Sequence, residues 1–162
     1  MSRWIGIFDY QVLSAPNASG QRGVLDFGVV RNNLADEGEM NLLKSYLTNE
    51  ANPTQFFLRI ANVTPTDTFS LASFTGEPGF ANGYAQQQVL RSGNANGWSL
   101  GWSGGNAQAT SKQVTFDCTL AYTVTYAYLA TTSDNSGFHV SNASLGSSKT
   151  LASGESLRIA YK

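Results

Sequence analysis

Along most of the chain, apolar side chains alternate with polar ones. Val114, Phe116, Cys118 and Leu120 alternate with Thr115, Asp117 and Thr119, and Val124, Tyr126 and Tyr128 alternate with Thr125 and Ala127. A period of two sends successive side chains to opposite faces of a strand, so both segments predict half-buried strands. Residues 4–13 and 24–30, rich in β-branched and aromatic side chains, predict two more, joined by the turn-rich residues 14–20. These two either pair as a hairpin or act as arms that pair with something else. Further strand candidates are Gln55–Ala61 and residues 83–90, 98–102, 138–140 and 157–161. Turn formers separate them at Glu77-Pro78-Gly79, Asp134-Asn135-Ser136-Gly137 and Ala152-Ser153-Gly154-Glu155.

One stretch has helical spacing. Met40, Leu43 and Leu47 recur three and four residues apart and form an apolar stripe. Asn33 is the expected N-cap, with Asp36, Glu37 and Glu39 in the opening turns, where the helix dipole favours carboxylates. Lys44 stands near the end, Asn52-Pro53 stops the helix, and Gly38 weakens it by about 1 kcal/mol relative to alanine. The strands recur roughly every 8–12 residues with no βαβ alternation. The expectation is an all-β chain: an antiparallel, jelly-roll-like β-sandwich with one short N-terminal helix and an N-terminal arm. A boundary near residues 49–54 separates arm plus helix (1–53) from the sandwich domain (54–162).

Composition narrows the function. The 162 residues are 41% hydrophobic and 12% aromatic, too many for a disordered chain. Only 13% are charged, against about 25% in an ordinary soluble domain, and 16 are glycine. The net charge is -1 and no basic run occurs, so no nucleic-acid partner is expected. A single Cys makes no internal disulfide or CxxC site, and a single His makes no His-rich zinc site, so neither metal nor cofactor is expected. No run approaches the ~18 apolar residues of a membrane helix. Residues 1–4 lack the pattern of a signal peptide, so synthesis in a cytoplasm is expected.

Individual chemical groups give little. Cys118 sits on the apolar face of its strand and reads as a small buried hydrophobe. His139, between Phe138 and Val140, has no evident nucleophile or orienting acid. Glu77, Asp117, Asp134 and Glu155 are the carboxylates from which a glycosidase pair could be drawn, but none is privileged. Asp134-Asn135-Ser136-Gly137 opens like a calcium loop yet lacks the later bidentate Glu. No catalytic residues are expected. More informative are Tyr84, Trp98 and Trp102, whose rings suit stacking on a sugar or a protein partner. One Trp is expected in the core and the other at the edge of an interface. Trp4, Ile5, Ile7 and Phe8 crowd apolar surface into the first residues. That arm either adds a strand to its own sheet or adds one to a neighbouring subunit.

The phrases in their order carry a resemblance. Asn33-Leu34-Ala35-Asp36-Glu37-Gly38-Glu39 looks like a helix-opening phrase. Thr64-Pro65-Thr66-Asp67-Thr68 precedes Glu77-Pro78, and Gly83-Tyr84-Ala85-Gln86-Gln87 follows. Ser111-Lys112-Gln113-Val114-Thr115-Phe116 leads into Tyr128-Leu129-Ala130-Thr131-Thr132 and Asp134-Asn135-Ser136-Gly137, and Leu151-Ala152-Ser153-Gly154-Glu155-Ser156-Leu157 closes the series. Over about four-fifths of the chain this resembles small bacteriophage virion structural proteins with β-sandwich bodies. Gln86 stands where Arg is common in that family and Tyr122 where Trp is frequent, and the N-terminal arm is outside the match. The resemblance implies a non-enzymatic virion protein, assembled in the host cytoplasm: a capsid decoration or cement protein, a head fibre, or a tail component. Expected partners are the major capsid protein or other virion proteins and further copies of the chain. The alternative is a tail or fibre component that binds host-surface glycan through Trp98 and Trp102.

Overall fold

In the computed structural model, which describes residues 6–48, 50, 52–64, 66 and 68–162, the alternating segments become strands. In chain order they are β1 (Ile7–Leu13), β2 (Val24–Arg31), β3 (Asn33–Leu34), helix α1 (Asp36–Leu43), β4 (Gln55–Ala61), β5 (Gln87–Leu90), β6 (Trp98–Ser103), β7 (Asn106–Ser111), β8 (Val114–Asp117), β9 (Tyr122–Ala130), β10 (His139–Leu151) and β11 (Ser156–Tyr161). The protein is all-β with one short helix. Strands pair antiparallel in a four-stranded sheet of order β2-β1-β11-β8, a five-stranded sheet of order β3-β10-β9-β4-β5, and the hairpin β6-β7.

Both larger sheets feed one apolar cluster. Phe8, Tyr10 and Val12 of β1, Phe116 of β8, and Leu157 and Ile159 of β11 meet Leu58 and Ile60 of β4, Val124 and Leu129 of β9, and Leu145 and Leu151 of β10. Each fully buried side chain of this size contributes roughly 1.5–3 kcal/mol. Strand β9 is covered on its other face too: Tyr128 and Ala130 join Ala61, Leu71 and Phe74 in a second cluster. The long connection between β4 and β5 supplies its lid.

The N-terminal strand is built into this body. β1 pairs with β11 from Phe8↔Tyr161 to Leu13↔Ser156, and with β2 along its other edge. Ile7 and Lys162 exchange two backbone hydrogen bonds at 2.7 Å. Phe8 is fully buried, edge-on to Tyr161 at 4.9 Å between centroids. In this fold Phe8 is therefore a core residue and presents no face to a partner, because the period of two turns it inward. Ile7 is half-buried on the opposite face. Trp4 and Ile5 lie outside the described residues. Strands on both sides of the boundary expected near residues 49–54, β1 and β2 before it and β8 and β11 after it, share the first sheet.

The helix differs from expectation at both ends. Asn33 and Leu34 pair with Asn142 and Ser141 of β10 as β3, so Ala35 becomes the N-cap and has no side-chain cap. After Leu43 the chain widens into a π-type turn over Lys44–Thr48. The helix packs through Gly38 and Asn41, which leaves Met40, Leu43 and Leu47 exposed. A Cβ on Gly38 would collide with the backbone of Val140. Gly38→Ala therefore sets the gain of about 1 kcal/mol in helix propensity against an overpacking cost of about 1–3 kcal/mol. The expected outcome is a net loss, read as a lower urea midpoint. A gain would show that the helix can lift off β10 freely.

Hairpin β6-β7 turns through Gly104 and Gly105, with φ of 57° and 81°. Two consecutive positive φ values are what a tight hairpin turn requires. Trp98, Leu100 and Trp102 share one face of the hairpin, opposite Ser111, Ala109 and Ala107. The apolar row begins against the core at Trp98 and runs outward into solvent.

Candidate functional site

The largest fully buried side chain is Arg59. It lies on β4 beside Tyr128 of β9, on the face covered by the β4–β5 connection. An unpaired guanidinium there would carry a large desolvation cost, so its partners are decisive. Glu77 provides a bidentate one: Nε to Oε1 at 2.6 Å and Nη2 to Oε2 at 2.8 Å. Tyr84 and Tyr128 donate their hydroxyls to Glu77 Oε1 at 2.5 and 2.6 Å, and Gln86 Nε2 donates to Oε2 at 3.0 Å. Arg59 also donates to the Asp134 carbonyl at 3.1 Å and to Asn135 Oδ1 at 3.2 Å. Burial pushes the Glu77 carboxyl up, but the hydrogen bonds from Arg59, Tyr128 and Tyr84 outweigh it and hold it below its usual value. Burial and the Glu77 charge raise both tyrosines. The ion pair is locked and saturated, which suits structure and leaves Glu77 no free lone-pair direction for acid–base work.

One feature of the sequence could have drawn attention to Arg59, though not to its partner. Arg59 interrupts an otherwise apolar run, Phe57-Leu58-Arg59-Ile60-Ala61, and a lone cation in a buried strand demands a carboxylate. Gln86 is a neutral partner of Glu77, and the cation comes from Arg59 on β4.

The other candidate carboxylates do not converge with Glu77. Asp117 accepts from Ser156 Oγ at 2.7 Å, Glu155 caps the Ala152 N–H at 2.8 Å, and Asp134 accepts from the Ser136 N–H and Oγ at 3.0 and 2.6 Å. The last pattern is a self-closed Asx turn. Among the described residues no group of three metal-ligating side chains forms, and no helix is long and apolar enough to cross a membrane. Cys118 is buried with its thiol near the Leu151 carbonyl at 3.4 Å, and burial pushes that thiol up, away from thiolate reactivity. His139 is buried too, and its backbone N–H donates to Glu37 at 2.8 Å. Burial raises the Glu37 carboxyl, but bonds from His139, Ser70 and Leu71 bring it below its usual value. Glu37 thus ties α1 to β10 and to the β4–β5 connection.

The three recognition aromatics separate cleanly. Tyr84 is buried, stacked on Phe116 at 5.9 Å, and offers no ring to a ligand. Trp98 is half-buried, edge-on to Phe56 at 5.7 Å and Tyr161 at 5.9 Å. Trp102 is 80% exposed. Trp98→Ala should cost about 2 kcal/mol, less than the 3–5 of a fully buried aromatic. Trp102→Ala should stay within about 0.5 kcal/mol of the parent. Chemical denaturation checks both, and equal losses would contradict the assignment.

Trp102 is one of several apolar groups left in solvent. Leu25, Phe27 and Val29 stand exposed on edge strand β2, Met40, Leu43, Tyr46 and Leu47 on and after α1, and Leu100 and Trp102 on the hairpin. On β2 the inward-facing Asp26 caps the Phe27 N–H at 2.8 Å and pairs with Lys149 of β10 at 2.6 Å, tying the two sheets together. Singly scattered exposed hydrophobics are ordinary; here they fall in rows on an edge strand, a helix and a hairpin.

Comparison of the chain with models of known protein families gives no match, and comparison with curated proteins gives none.

Proposed function

We propose that this chain is a non-enzymatic structural subunit of a bacteriophage virion, specifically a capsid decoration or cement protein that stabilises the head through subunit contacts. The observation that carries the reading is the set of apolar rows left exposed on β2, on α1 and on the β6-β7 hairpin. On a surface with few charges, covering such rows with protein costs little desolvation. The viral context of this reading rests on the resemblance of the ordered phrases to those of small virion proteins. The same reading takes the two larger sheets as the layers of a jelly-roll-like sandwich. It is supported by the single apolar cluster to which both contribute, and by the pairing of the first described strand with the last. Partners would be the major capsid protein or sister copies, gripped by these rows and not by a free N-terminal strand. Electron microscopy of purified virions should place the protein on the head. Density at the tail alone would replace this reading with that of a tail or fibre component, and absence from virions would end it.

A further inference from the structure

A cleft of about 390 Å³ opens between α1, the segment entering β4, and the loop that joins β9 to β10. That volume falls in the range of small-ligand pockets, about 300–1,000 Å³. Among the described residues that line it none is charged, and Arg91 beside it is spent on Asn52 Oδ1 at 3.2 Å and the Pro53 carbonyl at 3.3 Å. The walls carry amides from Asn41, Asn52 and Gln55 and hydroxyls from Thr54, Thr132 and Ser136, with Phe138 as the aromatic surface.

This chemistry excludes most ligand classes. A phosphate or nucleic acid calls for lysine or arginine. A cation such as calcium calls for carboxylates. A lipid or apolar molecule calls for walls mostly of hydrocarbon. A neutral, many-hydroxyl ligand calls for uncharged amides and hydroxyls, such as those of Thr54 and Gln55, beside an aromatic residue, here Phe138. We propose that this cleft binds a neutral saccharide.

The lining is held in place before any ligand arrives. Thr131 Oγ1 accepts from the Phe138 N–H at 2.8 Å, and Thr132 Oγ1 accepts from the Gly137 N–H at 3.0 Å while donating to the Asp134 carbonyl at 2.9 Å. Gln55 Oε1 accepts from Gln88, and Asn52 Oδ1 accepts from Arg91 at 3.2 Å. From beneath, the buried Arg59 holds the same loop through the Asp134 carbonyl and Asn135, whose Nδ2 donates to the Phe74 carbonyl at 3.0 Å. Gly137 is required in that loop: a Cβ there would collide with Thr131 and Thr132. Side chains fixed in this way lose little rotamer freedom on binding. The Arg59–Glu77 pair thereby gains a second role as the foundation of the cleft rim.

The saccharide site does not depend on the virion reading, since its lining shares no residue with the apolar rows, although α1 lends Asn41 to the cleft and Met40 and Leu43 to a row. The test is an amide-resolved NMR titration of the full chain with maltotriose, chitotriose and mannotriose, each to about 10 mM, enough to saturate a Kd of about 1 mM. The expected result is that at least one of them shifts amides of residues 52–55 and 131–138. Gln55→Ala and Thr54→Ala should each weaken that binding about five-fold, the worth of one hydrogen bond. Thr54 is exposed, so its variant keeps the test open should Gln55→Ala disturb β4. Trp102→Ala should leave the affinity unchanged. Failure of all three sugars to move these amides overturns the proposal. So do shifts centred on the β6-β7 hairpin that vanish in Trp102→Ala. Either result leaves the assembly reading standing.

Discussion

Replacing Glu77 with alanine is expected to cost about 3–5 kcal/mol of stability, because it leaves the Arg59 guanidinium buried without its carboxylate. For a chain of this length that lowers the melting temperature by roughly 6–20 °C. The loss also reaches Tyr84, Tyr128 and Gln86, all of which donate to Glu77. Combining Glu77→Ala with Arg59→Met should recover part of it, since no charge is then stranded. A single-variant loss below about 1 kcal/mol would mean that Arg59 reaches water. Acid acts on the same pair. Glu77 and Glu37 both titrate in the fold below their usual value of 4.5. A carboxyl with a depressed folded pKa stabilises above its unfolded value and loses that contribution as pH falls through the folded one. Stability should therefore hold at neutral pH and decline below about 4.5, and the Glu77→Ala variant should show a shallower decline.

Phe8→Ala is the second large effect, about 3–5 kcal/mol, the cost of an aromatic cavity in a close-packed core. Phe8 contacts the Tyr161 ring and belongs to the cluster that both large sheets share. Removing residues 1–13 goes further, because it takes β1 out from between β2 and β11. That deletion is expected to unfold the four-stranded sheet, seen as lost near-ultraviolet circular dichroism. A truncated chain with an intact melting transition would show that β1 is an accessory arm after all.

Much of the strand content was legible because alternation is a direct image of one buried face. Strand β8 and the first half of β9 are of this kind, while β4 and β11 were legible as short apolar runs. What escaped was structure whose side chains carry no hydrophobic signal. Strand β7, Asn106–Ser111, is small and polar, and forms by pairing with β6. Most of β10 is serine, asparagine, glycine and alanine, and only its opening was read. Strand β8 stops at Asp117, because Cys118 and Thr119 bond to Glu155 and Asn82 instead of extending a ladder. The helix stripe misled for another reason. An apolar stripe ordinarily faces a core, but here the tight approach at Gly38 set the contact face and turned Met40 and Leu43 outward. The Arg59–Glu77 pair joins residues from a strand and a long loop, and no local spacing encodes such a meeting. Of the recognition aromatics, sequence alone could not tell Tyr84 from Trp102, since burial depends on which strand lies above.

The pairing of Phe8 with Tyr161 also sets the timing of folding. The β1-β2 hairpin is local and can close by itself, yet the remaining edge of β1 has no neighbour until β11, far along the chain, reaches it. Contacts this distant in sequence are slow to form, because a long loop must close first. Until β11 docks, the β1-β2 hairpin therefore keeps an open, sticky edge, and the four-stranded sheet is among the last parts of the fold to close.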